Sequence, residues 1–181
     1  MTSTGHFLTG ISIGVLCLPK NSSKIHQVAH LSVFTILSIV PDLPFPGWGH
    51  GNKYYFSHSL FVNLALIASI IIAFLISSDI RRQVGGWPVM IGGALAWLSH
   101  LLLDSFYNTG YGVAIFWPVS DARLILPIPW LSLSQGQLYP FTLVNLKIVA
   151  IETVTFLPLL LLAIFIRRTK VFRRLAAAIR L

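Results

Sequence analysis

Histidine and aspartate at a spacing of four residues form the clearest chemical signal in the chain. His100 and Asp104 lie in the segment S-H-L-L-L-D, and an i, i+4 spacing places both side chains on one face of a helix. Imidazole and carboxylate together suit zinc and other first-row divalent cations. The pair therefore predicts part of a metal site, with a His–Asp hydrogen bond that fixes the helix as the simpler alternative.

Three further residues of the same chemistry lie at helix ends that would face the same side of a membrane. Asp42 and His58 would supply a second carboxylate and a second imidazole, which would complete a four-ligand site. His6 would be a fifth ligand, or part of a second metal site that shares Asp104 as a bridging carboxylate. The candidate ligands are thus His6, Asp42, His58, His100 and Asp104, and the expected cofactor is one or two divalent ions, with zinc as the first choice.

The composition indicates a membrane protein. Hydrophobic residues make up 55% of the 181 positions and charged residues only 10%, against roughly 25% charged in soluble domains. The formal net charge is +8, but apolar runs separate the basic residues from one another, so nucleic-acid binding is not expected. The single cysteine, Cys17, excludes an internal disulfide and a cysteine-based zinc site.

Five apolar segments predict an all-α, multi-pass membrane bundle, because a helix needs about 20 apolar residues to cross the hydrocarbon core. The first segment is short, but it lacks the basic region and cleavage site of a signal peptide, so we expect it to be mature chain. Prolines in the connection 107–140 oppose a sixth helix, and we expect this connection to form an interfacial lid. The five predicted helices are 5–18, 25–40, 58–78, 87–106 and 141–166.

The positions of Lys and Arg predict the orientation. If five helices alternate across the bilayer, all of the 13 basic residues except Lys53, Arg123 and Lys147 fall on one side, which the positive-inside rule makes cytoplasmic. The domain 1–166 is then followed by a basic amphipathic cytoplasmic tail, 167–181, that lies on anionic lipid. The candidate ligands would face the extracytoplasmic side of the membrane, with the lipid bilayer as the main partner.

At these residues the sequence resembles the YdjM-type membrane-bound, metal-dependent hydrolases, some of which are LexA-regulated in bacteria. The matching motifs come in order over the first two-thirds of the chain: T-G-H-F-L-T-G at His6, V-P-D-L-P at Asp42, F-S-H-S-L at His58, S-H-L-L-L-D at His100 and Asp104, and N-T-G-Y-G-V-A-I-F-W-P at 108–118. That family is similar to the helical zinc-dependent phospholipases C, whose ligands follow the same chain order. The resemblance implies that all five residues bind metal and that the membrane is a bacterial inner membrane.

Two differences from the family pattern bear on substrate and metal number. The stretch before His58 reads K-Y-Y-F-S, where relatives usually carry a His-Arg pair, so substrate handling is expected to differ. No histidine follows His100 in the sequence, so a third metal of the phospholipase type is not expected.

The expected function is that of a membrane-bound hydrolase in which metal-activated water attacks a phosphoester or ester of a lipid-like substrate at the outer interface. Asp42 is expected to orient or deprotonate that water. The main alternative is a non-catalytic protein that uses the same cluster for a structural metal, or for ion or proton transport. A third is a subunit whose lid docks a partner protein.

Overall fold

A computed structural model describes residues 4–19, 23–48, 54–106, 112–126 and 143–169. These residues form no named strand, only an isolated bridge between Val113 and Leu124, which confirms the all-α prediction. Helices α1, α2, α4, α6 and α7 occupy the five predicted segments, and a short 3-10 helix covers Val40–Asp42. The helices are α1 (Thr4–Cys17), α2 (Lys24–Leu37), α3 (Tyr54–Ser57), α4 (Leu60–Ile76), α5 (Ser78–Val84), α6 (Trp87–Ser105) and α7 (Leu143–Arg168).

Serine and glycine set the helix ends. The hydroxyls of Ser23 and Ser59 accept backbone N–H groups in the first turns of α2 and α4, each at 3.3 Å, as N-cap residues do. Gly85 and Gly86 both have a φ of 91° between α5 and α6, in the left-handed region that favours glycine. Pro88 follows in the first turn of α6, where its missing N–H costs no helical hydrogen bond.

Helix α1 contacts α2, α6 and α7 and is the central helix of the described bundle. Its close approach to α2 depends on Gly10, because a Cβ there would lie 2.6 Å from Ser38 Oγ and 2.7 Å from the carbonyl oxygen of Phe34. Phe34 itself is buried and packs with Val89 and Ala96 of α6. Gly10 thus lies beside Ser38, directly after α2, and the first turn of α1 lies beside the end of α6, where His6 contacts Asp104.

By length and composition, α6 and α7 can each cross a membrane, and α4 with α5 adds a third span if the pair is counted as one broken span. The axes of α4 and α5 are bent by 110°. Helices α1 and α2 have 14 residues each, or about 21 Å of helix, which is shorter than the roughly 30 Å hydrocarbon core. The described chain therefore gives two or three spans, and the expected five are not confirmed.

Residues 112–126 are the described part of the predicted lid. The Leu60 N–H donates to the Ile115 carbonyl at 2.8 Å, and the Leu126 N–H donates to the Ser105 carbonyl at 2.6 Å. These bonds join the segment to the start of α4 and the end of α6. Several residues on which the lid prediction depends lie outside the described residues: Tyr107, Tyr111, Pro127, Pro129, Trp130, Tyr139 and Pro140.

Helix α7 extends two residues beyond the predicted end of the fifth helix at 166. The helix continues to Arg168, so Arg167, predicted as the first tail residue, belongs to its last turn. The Arg167 guanidinium donates to the carbonyl oxygens of Val15 and Leu18, the latter at 3.0 Å. Residues 170–181 lie outside the described residues, and the amphipathic tail stays a prediction.

Candidate metal centre

The ends of several elements present the five candidate residues at one end of the bundle. His6 lies in the first turn of α1, Asp42 ends the 3-10 helix after α2, and His58 lies between α3 and α4. His100 and Asp104 lie one turn apart near the end of α6. The three histidines are 0% exposed and Asp104 is 7% exposed, whereas the Asp42 side chain is 20% exposed.

Asp104 contacts all three histidines. Its Oδ1 lies 3.1 Å from His6 Nε2, and its Oδ2 lies 3.1 Å from His58 Nε2. Oδ2 also lies 3.4 Å from His100 Nε2. One carboxylate oxygen therefore faces α1, and the other faces the pair formed by His58 and His100.

Asp42 closes the cluster from another side. Its Oδ1 lies 3.3 Å from His58 Nε2 and 3.4 Å from His100 Nε2, and these two nitrogens are 3.3 Å apart. One ligand atom from each of His6, Asp42, His100 and Asp104 falls within 4.8 Å of every other. His58 is not one of these four, and it joins them through its contacts with Asp42, His100 and Asp104. The structure thus brings all five predicted residues together.

Contacts of the second ring nitrogen orient two of the imidazoles. His100 Nδ1 lies 2.9 Å from the Ser38 carbonyl oxygen, and since a carbonyl only accepts, Nδ1 carries the proton and Nε2 of the neutral ring carries the lone pair. His58 Nδ1 lies 2.7 Å from Ser57 Oγ. The His6 ring stacks on His100 with centroids 4.0 Å apart and planes at 12°. In metal-bound histidines, a hydrogen bond of the second ring nitrogen orients the ring in the same way.

The chemistry of these atoms fits a cation. His100 Nε2 is an acceptor in the neutral ring, and it faces oxygens of Asp42 and Asp104, which are acceptors when ionised. Acceptors 3.4 Å apart repel one another unless a proton or a cation lies between them. The buried His/Asp group could therefore hold a metal ion.

Asn63 supports the cluster and was not predicted from the sequence. Its amide donates to the carbonyls of Ser57 and Ser59 at 2.8 and 2.7 Å, and its oxygen accepts the Trp97 indole N–H at 2.6 Å. These bonds hold the turn that carries His58 against α6. An amide inside an apolar segment is the signal that could have identified it, because buried polar groups in membrane helices need partners.

Glu152 is a second supporting residue whose partner was not predicted. A loose pair with Lys147 was one interpretation of the sequence, but Lys147 is exposed and Glu152 is 0% exposed. Glu152 Oε2 accepts the backbone N–H of Gly5 at 3.0 Å. Gly5 directly precedes His6, so this buried carboxylate contacts the backbone beside a candidate ligand.

The remaining histidines lie elsewhere. His26 Nδ1 is 2.8 Å from Ser23 Oγ at the start of α2, and the His30 ring stacks on Phe34 with centroids 4.9 Å apart. Both belong to the half of α2 far from Ser38, which contacts the cluster. His50 lies outside the described residues.

Comparison with known families decides the relationship that the motifs suggested. The family model described as YdjM inner membrane protein matches residues 1–174. This chain belongs to the YdjM family. Searches of curated proteins and of solved structures gave no match, so the similarity to helical phospholipases C rests on the order of the candidate ligands alone. Family membership and the apolar helices together show an inner membrane protein.

Proposed function

We propose that this YdjM-family protein is a zinc-dependent hydrolase that cleaves a phosphoester or ester of a lipid or lipid-linked substrate. The spacing of the donor atoms is the main support. Ligands about 2.0–2.1 Å from a tetrahedral zinc ion lie roughly 3.3 Å from one another. Five pairs among the donor atoms of Asp42, His58, His100 and Asp104 are separated by 3.1 to 3.4 Å.

His6 extends this four-ligand set. Its Nε2 contacts Oδ1 of Asp104, whereas His58 and His100 contact Oδ2. A carboxylate that bridges two metal ions binds one ion with each of its two oxygens, so the arrangement of Asp104 also suits a two-metal site. His6 is accordingly either a fifth ligand or the first ligand of a second ion, and the proposal covers one or two ions.

The roles of the residues follow from their exposure. A divalent ion in this set would supply Lewis acidity, by acidifying water and by stabilising negative charge that develops on an ester oxygen. Asp104 and the three histidines are buried and would hold the ion rigidly. The Asp42 side chain, at 20% exposure, is the most accessible of the five. It is the residue that we assign to orient the attacking water and accept its proton.

Apolar side chains near Asp42 support a lipid-like substrate. Phe45 is 58% exposed and Phe56 is 43% exposed. The Trp48 ring packs edge-on against Phe56 with centroids 5.7 Å apart, and its indole N–H donates to the Val40 carbonyl at 2.7 Å. A substrate with a polar ester and an apolar chain could place the ester at Asp42 and the chain on these aromatic rings.

The proposal also includes the topology predicted from the charges. We place the cluster at the extracytoplasmic face, with five helices that enter or cross the bilayer, residues 107–140 as a lid, and the tail 167–181 in the cytoplasm. The directions of the helices agree with alternation, since the first turn of α1 lies beside the end of α6 and Gly10 lies beside Ser38, directly after α2.

Elemental mass spectrometry of the detergent-purified protein tests the metal site. We expect about one or two equivalents of zinc in the wild type, and loss of zinc in His100→Ala and Asp104→Ala with helical circular dichroism retained. Lys147→Ala, an exposed change on α7, is the control and should bind as the wild type does. A wild-type protein that takes up no divalent metal on reloading would contradict the proposal.

Hydrolysis of a fluorogenic phosphodiester or acyl ester in mixed micelles tests the activity. At saturating zinc, Asp42→Asn should lower kcat by about 10²- to 10⁴-fold, the usual contribution of a general base. A protein that holds zinc but cleaves none of these esters would instead support the non-catalytic, structural metal site.

A further inference from the structure

We infer that Glu152 is a positioning residue for His6: the carboxylate from α7 fixes the start of α1, and thereby the place of His6 in the cluster. The consequence for metal binding rests on the proposed function, whereas the structural part of the inference does not. Glu152 acts through Gly5, which lies 147 positions away in the chain.

Glu152 provides a hydrogen-bond acceptor for a backbone N–H at the start of α1. The first four N–H groups of a helix have no partner within the helix, and Gly5 provides one of them in α1 (Thr4–Cys17). Glu152 Oε2 accepts that N–H at 3.0 Å, and the carboxylate is fully buried. When ionised, this carboxylate also interacts favourably with the positive end of the helix dipole.

The position of His6 depends on where α1 begins. His6 Nε2 lies 3.1 Å from Asp104 Oδ1, and its ring lies 4.0 Å from the His100 ring. A shift of about 1 Å at the start of α1 would exceed the range of a hydrogen bond. Because Gly5 is the adjacent residue, loss of its bond to Glu152 would act on His6 first, and on the ligands of other helices little.

The opposite end of α1 is held by the same helix. Arg167 of α7 donates to the carbonyls of Val15 and Leu18. Helix α7 thus places a carboxylate at the positive end of α1 and a guanidinium at its negative end, the signs that the helix dipole favours at each. A helix of about 21 Å leaves at least one end inside a bilayer of roughly 30 Å, where backbone groups must find protein partners.

Histidine modification tests the positioning without requiring metal. The full-length protein in detergent, with and without a chelator, is treated with diethyl pyrocarbonate, and each histidine is followed by mass spectrometry. In Glu152→Ala we expect His6 to react about tenfold faster or more, the effect of losing a bond to a charged group. His58 and His100 should stay protected, Glu152→Gln should be intermediate because it keeps an acceptor oxygen, and Lys147→Ala should match the wild type.

Two results would overturn the inference. His6 could remain as protected in Glu152→Ala and Glu152→Gln as in the wild type, which would show that the carboxylate does not hold it. Alternatively, His6, His58 and His100 could all become reactive together in both variants, which would indicate a general role in folding. Neither result depends on whether the protein binds zinc.

Metal affinity supplies the second readout. If the wild type binds zinc, Glu152→Ala and His6→Ala should weaken binding by the same factor, and the double variant should be no weaker than either single variant, because the two residues act as a unit. Losses that multiply in the double variant would show that Glu152 acts independently of His6. A wild type that binds no zinc contradicts the proposed function and leaves the modification test to decide on Glu152.

Discussion

Replacement of Asn63 by alanine should weaken metal binding without removing any ligand. Asn63 makes three hydrogen bonds, two to the turn that carries His58 and one to Trp97 of α6. A hydrogen bond contributes about 0.5–1.5 kcal/mol net, so at about 0.6 kcal/mol each, near the low end of that range, the three together amount to about 1.8 kcal/mol. If that free energy is lost from the metal-bound state, zinc affinity falls about 20-fold. This lies within the 10- to 100-fold range of outer-shell changes at metal sites.

Competition with a chromophoric chelator in detergent measures the effect of Asn63→Ala. Ser69→Ala is the matched control, because Ser69 lies on the same helix but is exposed and donates only to the Ala65 carbonyl of its own turn. The reasoning would be refuted if Asn63→Ala bound zinc within twofold of the wild type while thermal unfolding showed the expected loss of stability. That outcome would mean that His58 is held in place by contacts other than those of Asn63.

Two further predictions concern packing and topology. Gly10→Ala should lower the unfolding free energy by about 1–3 kcal/mol, as over-packing does, because the added Cβ would lie 2.7 Å from the Phe34 carbonyl oxygen. The control is Gly93→Ala, whose Cβ would meet only a Leu37 methyl at 3.2 Å and which should lower stability less. Equal losses of stability in thermal unfolding would contradict the prediction. In a Cys17→Ala background, a membrane-impermeant thiol reagent should label cysteines placed in 41–57 on intact spheroplasts but not those in 167–181, and labelling of the tail from outside would reverse the proposed orientation.

The parts of the site that could be predicted are those that residue type and chain direction determine. His100 and Asp104 share one helix face because of their spacing, which needs no tertiary information. His6, 98 residues from Asp104, could be placed beside it only because consecutive membrane helices alternate in direction. Both inferences depend on charged or titratable side chains being rare in apolar segments.

Other features could not be predicted. In some, the hydrogen-bond partner of a site residue is a backbone group, and in others the length of an apolar segment does not decide whether its helix crosses the membrane. His100 bonds to the carbonyl of Ser38, and Glu152 bonds to the N–H of Gly5; any residue type offers these backbone atoms. The apolar pattern located α1 and α2 correctly, yet each has 14 residues. Helix position was therefore predictable, whereas the number of complete spans was not.

The bond between Gly5 and Glu152 also bears on how the protein is made. Helix α1 leaves the ribosome before α7, but the side chains that bond to the backbone at both of its ends, Glu152 and Arg167, belong to α7. At about 5–20 residues per second, the 147 residues between Gly5 and Glu152 take roughly 7–30 s to synthesise. Asp42, His58, His100 and Asp104 are all synthesised within that interval, while the start of α1 still lacks its buried carboxylate. If Glu152 positions His6 as inferred above, the cluster can take its final form only after α7 has been synthesised, and ribosomal synthesis sets the earliest moment at which it can form.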